Sequence, residues 1–137
     1  EMALMFQKEV AQRICADPGT EHYGRLAVLA HAVTRPHIAF TLPPGAFKPP
    51  PKVDSAVAVL DPLPESEQFP HLDKLEQVAG AAFGQRRKML RAGLKPFAKK
   101  HGLKAEDWLK ELGIDPTARA ETLTQEEFRR MAASLVK

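Results

Sequence analysis

Three consecutive prolines at positions 49–51 restrict the fold of this chain more than any other feature of its sequence. Each proline fixes φ near about −65° and lacks an N–H donor, so this segment can be neither helix nor central strand. We expect a stiff, extended surface rail that has Phe47 at one end and a strand over residues 53–60 at the other. Such a rail could hold an aromatic ring against a planar ligand. The alternative is an ordinary loop between strands, with Phe47 packed into the core.

The composition is typical of a globular protein in a reducing compartment. Of the 137 residues, 44% are hydrophobic and 27% are charged, and no apolar run approaches the ~20 residues of a membrane-spanning helix. The N-terminal residues lack the pattern of a secretory signal, and a single cysteine excludes an internal disulfide, so we expect a cytoplasmic protein. That cysteine, Cys15, lies in a helical apolar pattern and is predicted to be a buried structural thiol rather than a nucleophile. The five histidines have no metal-ligand spacing, so we predict no metal site.

The first 62 residues predict the end of an α/β layer. Residues 2–6 form a continuous apolar run, as expected of a strand buried on both faces of a parallel sheet. The other elements predicted here are helices over 8–16 and 25–34, the second burying Leu26, Leu29, Ala30 and Val33, and strands over 37–42 and 53–60. Because the first strand would have an unpaired edge, we expect an edge-paired or swapped dimer, or poor solubility.

The remaining sequence predicts a linker over 63–70 and a helical domain over 71–137, which would follow a first domain over 1–62. Helices are expected over 71–83, 85–99 and 105–112, and Asp115 followed by Pro116 predicts the start of another helix. Thr124 and Glu127 have the spacing of a capping box. The helix that they begin should bury Phe128, Met131, Ala132 and Leu135.

Basic residues are concentrated in one part of the chain, although the net charge is only +3. No acidic residue occurs between residues 77 and 105, and a continuous helix over 85–99 would present its cations beside an apolar face of Leu90, Leu94 and Phe97. With no acid one turn away to neutralise them, such cations indicate contact with a polyanion; the alternative is a solvated basic face. The candidate RNA-binding residues are Arg86, Arg87, Lys88, Arg91 and Lys95.

Four stretches of the sequence occur together in an order that is typical of one enzyme family. The first has the pattern FxPxPxVxS over residues 47–55, and the others are MFQKEV over 5–10, FGQRRK over 83–88 and GIDPTARAE over 113–121. Together they span nearly the whole chain. They resemble motifs of the adenine-N6 dimethyltransferases that modify ribosomal RNA, and the last three resemble the small-subunit branch of that family.

The resemblance implies a fold and a set of site residues. It implies an α/β remnant, made of the last strands and helices of a Rossmann-like methyltransferase sheet, followed by a small all-α domain. Phe47 would stack on a flipped-out target adenine, supported by the rail prolines Pro49 and Pro51. At the edge of the active site, the resemblance places Gln7, Lys8 and Glu9.

The sequence also departs from the family pattern. The chain has no G-x-G and no asparagine, so it lacks both the glycine-rich S-adenosylmethionine loop and the Asn-Leu-Pro-Tyr motif. The resemblance therefore implies the C-terminal half of an S-adenosylmethionine-dependent enzyme, with the main cofactor-binding motifs absent from this chain. We expect the isolated chain to be inactive.

Three functions remain open at this point. The first is dimethylation of adenine in small-subunit ribosomal RNA during ribosome biogenesis, with ribosomal RNA or the small subunit as partner. The second is a large-subunit dimethyltransferase of the antibiotic-resistance type, although the matches at 86–88 and 113–121 argue against it. The third is a non-enzymatic RNA-binding or ribosome-assembly module that uses its cations alone.

Overall fold

The computed structural model of the chain describes residues 2–43 and 54–136. The predicted rail residues Phe47, Pro49 and Pro51 lie outside these described residues. The strands on either side of the rail are described, and they belong to one sheet.

Two compact units make up the chain. The first unit comprises residues 1–17 and 21–68, and the second comprises residues 18–20 and 69–137. The division after residue 68 falls inside the segment over which the sequence predicts a linker. Each unit has its own buried side chains and is described separately.

The first unit contains a three-stranded antiparallel sheet with the order β1-β3-β2. Met2 lies opposite Leu60 at one end of the β1–β3 pair, and Gln7 lies opposite Ser55 at the other. The register of β2 against β3 shifts between Ile38 and Phe40, as a β-bulge does. The bounds of the strands are Met2–Gln7 for β1, Thr34–Leu42 for β2 and Ser55–Pro62 for β3.

The prediction that the first strand is buried in a parallel sheet is wrong. Strand β1 pairs antiparallel with β3, and Met5 in its middle is 57% exposed. The central strand is β3, which buries Ser55, Ala56, Ala58 and Val59. A continuous apolar run indicates a strand, but it does not indicate the direction of the neighbouring strand or the cover on each face, and both depend on distant residues.

Two helices accompany the sheet: α1 over Lys8–Cys15 and α2 over Arg25–Val33. Helix α1 buries Ala11 and Ile14. The predicted buried stripe of α2 is wrong, because Leu26 is 46% exposed and the helix instead buries Ala27, Val28 and Ala32. These small side chains allow α2 to lie close to α1 and β2, which it contacts.

The second unit is helical, with a core of large apolar side chains. Its helices are α3 over Leu72–Gly84, α4 over Leu90–Gly93, α5 over Lys95–Lys100, α6 over Ala105–Glu111 and α7 over Gln125–Ser134. The fully buried side chains include Leu75, Leu94, Leu109, Phe128 and Met131. Phe128 also stacks on Phe83, with 5.5 Å between the ring centroids.

The predicted single helix over 85–99 is wrong. A turn follows α3, then the four-residue helix α4, and then α5, which has Pro96 in its first turn. Proline has no N–H for a continuous helix and is favoured at a helix start, so it separates α5 from α4. Leu90 and Leu94 are nevertheless buried, as predicted.

Of the two helix starts predicted near the end of the chain, the structure confirms one and contradicts the other. The Thr124 side chain accepts from the Glu127 N–H, and the Glu127 side chain accepts from the Thr124 N–H, so the capping box is confirmed. The predicted helix start at Asp115 is wrong. Asp115 begins a turn, because its side chain accepts hydrogen bonds from Thr117 and its backbone carbonyl accepts one from Ala118.

Candidate nucleic-acid interface

The run of three successive cations lies in the turn between α3 and α4. The Lys88 N–H donates to the Gln85 carbonyl over 3.0 Å, which closes the turn. The Arg86 guanidinium lies 5.2 Å from the centroid of the Phe83 ring, a cation–π contact that holds this side chain against the helical unit. Arg87 and Lys88 are exposed. The turn thus presents one anchored cation and two exposed ones.

A groove of about 470 Å³ lies beside α4 and α5 in the same unit. Arg91, Lys95 and Lys99 recur at intervals of four residues along its wall. The other lining residues are Leu103, Lys104, Ala105, Glu106 and Asp107. Among residues 2–43 and 54–136, the four cations of this groove form no ion pair, whereas Glu106 is paired with Lys110 at 3.5 Å. Exposed, unpaired cations along one groove are suited to contact a series of phosphates.

Short helix α4 is held by hydrogen bonds to a segment that lies 25 to 28 residues further along the chain. The Leu90 N–H donates to the Ala118 carbonyl over 2.8 Å, and the Arg91 N–H donates to the Pro116 carbonyl over 3.0 Å. These carbonyls pair two N–H groups at a helix start that has no side-chain cap. The backbone of Arg91 is therefore fixed from two directions, by these bonds and by the buried Leu90 beside it.

The structure brings together only part of the predicted RNA-binding set. Arg91 and Lys95 share the groove, while Arg86, Arg87 and Lys88 lie on the preceding turn. The groove adds Lys99 and Lys104 to the candidates. Their signal in the sequence was the four-residue spacing of Lys99 from Lys95, and for Lys104 only its place in the acid-free window.

A polar concavity of about 310 Å³ lies in the first unit, where β1 ends and α1 begins. The predicted edge residues Gln7, Lys8 and Glu9 line it together with Gln12 and Asp54. The Lys8 N–H donates to the Asp54 carbonyl over 2.9 Å, which ties the start of α1 to the start of β3. Sequence reasoning missed Asp54, whose contribution depends on pairing between distant strands.

The half-buried Cys15 does not have the environment of an activated thiol. Burial and then the nearby charge of Asp17 raise its pKa above the ordinary value, which keeps the thiol protonated. Within the described part of the chain, no group of three or more histidine, cysteine or acidic residues could hold a metal ion. No helix formed by those residues is both long and apolar enough to span a membrane.

Comparison with known proteins decides the family. Residues 1–137 match the family described as ribosomal RNA adenine dimethylase. The chain belongs to this family. Among curated relatives, it is similar to ribosomal RNA small subunit methyltransferase A of Agrobacterium fabrum (54% identical over 135 residues, 98% of this chain and 46% of the relative). The protein of the same name from Maricaulis maris is 48% identical over 129 residues, which are 94% of this chain and 45% of the relative. The chain thus spans about half the length of the curated relatives that it matches.

Two solved structures place the fold among methyltransferases. A dimethyladenosine transferase from Plasmodium falciparum matches with a TM-score of 0.80 and 25% identity, over 94% of this chain and 54% of that one. The 23S rRNA methyltransferase ErmE matches with a TM-score of 0.58 at 21% identity, a likeness of fold alone. The predicted family is confirmed, and the sheet and helices of this chain are compatible with both folds.

Proposed function

We propose that the chain is part of a cytoplasmic, S-adenosylmethionine-dependent enzyme that dimethylates adenine N6 in small-subunit ribosomal RNA. One observation carries this proposal: relatives named ribosomal RNA small subunit methyltransferase A are 48% and 54% identical over nearly all of this chain. The likeness to ErmE is one of fold alone and does not favour a large-subunit target.

In this proposal, the second unit binds the RNA backbone. Arg87 and Lys88 on the turn and Arg91 and Lys95 in the groove are exposed cations, and those of the groove have no ion pair among the described residues. Arginine forks grip phosphate oxygens in a bidentate manner, whereas lysines act as point charges. Such contacts position an RNA without reading its sequence. We therefore assign docking, rather than choice of base, to this unit.

The first unit would contribute to the methyl-transfer site. Gln7, Lys8 and Glu9 line a polar concavity, which is suited to hydrogen bonds with a nucleotide. When bound, S-adenosylmethionine supplies an activated methyl group, so the protein needs mainly to position the acceptor nitrogen. We assign Phe47 to stacking on the adenine and Pro49 and Pro51 to its support, on the sequence pattern alone. The main cofactor-binding motifs of the family would lie outside this chain.

Two titrations of the 137-residue chain test this division of roles. A fluorescein-labelled RNA stem–loop should bind with an affinity that falls steeply as salt rises, because counterions are released at each phosphate contact. Calorimetric titration with S-adenosylmethionine should show weak binding or none. Micromolar binding of S-adenosylmethionine would contradict the assignment of the cofactor site to other residues. A failure to bind RNA would contradict the docking role of the second unit.

The role of Phe47 is best tested in a longer, active protein that contains this chain. Phe47→Ala should slow methyl transfer by roughly 5- to 150-fold, since stacking of a base on an aromatic ring contributes about 1–3 kcal/mol. The matched variant Phe47→Trp keeps an aromatic face and should retain most of the rate. Neither change should alter the salt dependence of RNA binding. Equal rates for the wild type and the Ala variant would remove Phe47 from the site.

A further inference from the structure

The motif over 113–121 contains a turn held by the side chain of Asp115. One carboxylate oxygen accepts from the Thr117 N–H over 2.9 Å and from the Thr117 hydroxyl over 2.7 Å. The Ala118 N–H donates to the Asp115 carbonyl over 3.1 Å. These three bonds give residues 115–118 a fixed backbone shape, although Asp115 itself is exposed.

The carbonyls of this turn are the acceptors that begin α4. Pro116 accepts from the Arg91 N–H, and Ala118 accepts from the Leu90 N–H. An α4 of only four residues has few internal hydrogen bonds, so its start depends on these external acceptors. The shape of the turn therefore sets where the backbone of Arg91 lies.

Helix α4 in turn supports the three-cation turn. A Cβ placed on Gly93 would lie 3.0 Å from the Gln85 Cβ and 3.7 Å from the Lys88 Cβ, so these two segments pack closely at a position that glycine leaves open. A displacement of α4 would thus be transmitted to the turn that contains Arg86, Arg87 and Lys88 as well as to Arg91.

We propose that Asp115 is a positioning residue for RNA docking: its bonds to Thr117 shape the turn whose carbonyls fix α4, and α4 places Arg91 in the groove and supports the neighbouring cations. The inference rests on the proposed function, because it assigns the turn to the same RNA interface. Asp115 acts through Arg91 and does not itself bind phosphate, since a carboxylate repels it.

Two substitutions with the same charge change separate this role from simple electrostatics. Asp115→Ala and Asp115→Asn both remove one negative charge, which by itself should strengthen binding to a polyanion. The Asn side-chain oxygen can still accept from Thr117, whereas Ala cannot. We therefore expect Asp115→Ala to bind the RNA stem–loop more weakly and Asp115→Asn to bind it at least as tightly as the wild type does.

We expect Asp115→Ala to lose the equivalent of one phosphate contact with the RNA. In a salt titration of the 137-residue chain, the log–log slope for Asp115→Ala should become shallower by roughly 0.7–0.9. If both proteins bind equally at 1 M salt, this slope change makes the affinity of Asp115→Ala about sixfold lower than that of the wild type at ~0.1 M salt. The slope for Asp115→Asn should match the wild type. Circular dichroism confirms that both variants are folded.

Hydrogen exchange of the Leu90 and Arg91 amides provides a readout without RNA. Both amides should exchange slowly in the wild type and in Asp115→Asn, and faster in Asp115→Ala. Unchanged exchange in a folded Asp115→Ala variant would overturn the positioning role. Faster exchange with an unchanged salt slope would overturn its connection to RNA. A wild-type chain that does not bind RNA would instead contradict the proposed function itself, and with it the RNA role of Asp115.

Discussion

In the first unit, the buried cluster at the sheet consists of Ala11, Ala56 and Ala58, and among the described residues its large, fully buried side chains are Tyr23 and Val28. The core of the second unit contains more such side chains, including those of Leu75, Leu109 and Phe128. The large exposed apolar side chains show the opposite distribution. Met2, Leu4, Met5, Leu26 and Phe40 belong to the first unit, and Leu72, Met89 and Val136 to the second. Because buried apolar area drives folding, the second unit has the stronger core of its own, while the first exposes surface that is suited to contact with other protein.

The largest test of this contrast compares two phenylalanines. Phe128→Ala removes a fully buried ring that stacks on Phe83, and it should lower the free energy of unfolding by about 3–5 kcal/mol. Phe40→Ala removes a ring that is 53% exposed, and the free energy should change by less than about 0.5 kcal/mol. Urea denaturation followed by Trp108 fluorescence and by circular dichroism measures both. Similar losses for the two variants would show that the first unit also depends on its large side chains.

A smaller difference should separate two threonines at helix ends. Thr124→Ala removes half of the capping box of α7 and should cost about 1 kcal/mol. Thr34→Ala at the end of α2 removes a hydroxyl that donates to the Ala30 carbonyl, but that carbonyl still accepts from the Thr34 N–H. Its cost should be under about 0.5 kcal/mol. Denaturation curves of the paired variants check this order, and a reversal would contradict the account of capping.

The same contrast explains how much of the fold could be predicted from sequence. Helix α7 was predictable because its capping box and apolar spacing lie within twelve consecutive residues. The buried face of α2 was not, because Ala27 and Ala32 are buried by partners elsewhere in the chain. Pro96 is a local signal for the break between α4 and α5, but the helical spacing of the apolar residues over 85–99 indicated one continuous helix.

For the candidate interface, the sequence predicted the cationic side chains but not the backbone hydrogen bonds that hold α4 in place. Arg91 and Lys95 could be chosen from the acid-free window, and the structure places both in one groove. The hydrogen bonds from Leu90 and Arg91 to the carbonyls of Ala118 and Pro116 could not be predicted, since they join segments 25 or more residues apart through backbone atoms. Side-chain identity says little about such contacts.

We expect self-association to depend on the first unit and not on the second, and surface substitutions that barely affect the free energy of unfolding can test this. We propose that β1, an edge strand within the described residues, pairs with a second copy of the chain. Met5→Lys places a charge in this strand and should lower the average mass in light scattering. The matched change Met89→Lys, at an exposed methionine of the second unit, should leave the mass unchanged. A monomeric wild type at high concentration would contradict the proposal.

The smallest effect concerns the pH dependence of the second unit. Hydrogen bonds from the Thr117 side chain, and then from its backbone N–H, lower the pKa of Asp115 below its ordinary value of 3.8. A lowered folded-state pKa stabilises the fold above the ordinary value, and that contribution is lost as the pH falls below it. The difference in urea unfolding midpoint between wild type and Asp115→Asn should therefore shrink as the pH falls below 3.8 towards the lowered pKa of Asp115. A constant difference would contradict the assignment.

The central claim is that the second unit provides the RNA contacts. Two triple variants with equal changes of charge test it: Arg87, Arg91 and Lys95 to Ala in the second unit, and Arg13, Arg25 and Arg35 to Ala in the first. All six side chains are exposed, so both variants should fold, which circular dichroism checks.

The decisive measurement is the salt dependence of RNA stem–loop binding by these two variants. The second-unit variant should lose roughly 0.7–0.9 in log–log slope for each phosphate contact removed. The first-unit variant should keep a slope close to that of the wild type. If both variants lose slope equally, general charge rather than the groove drives binding. If the folded second-unit variant keeps both the affinity and the slope of the wild type, the groove is a solvated basic surface and the docking role is wrong.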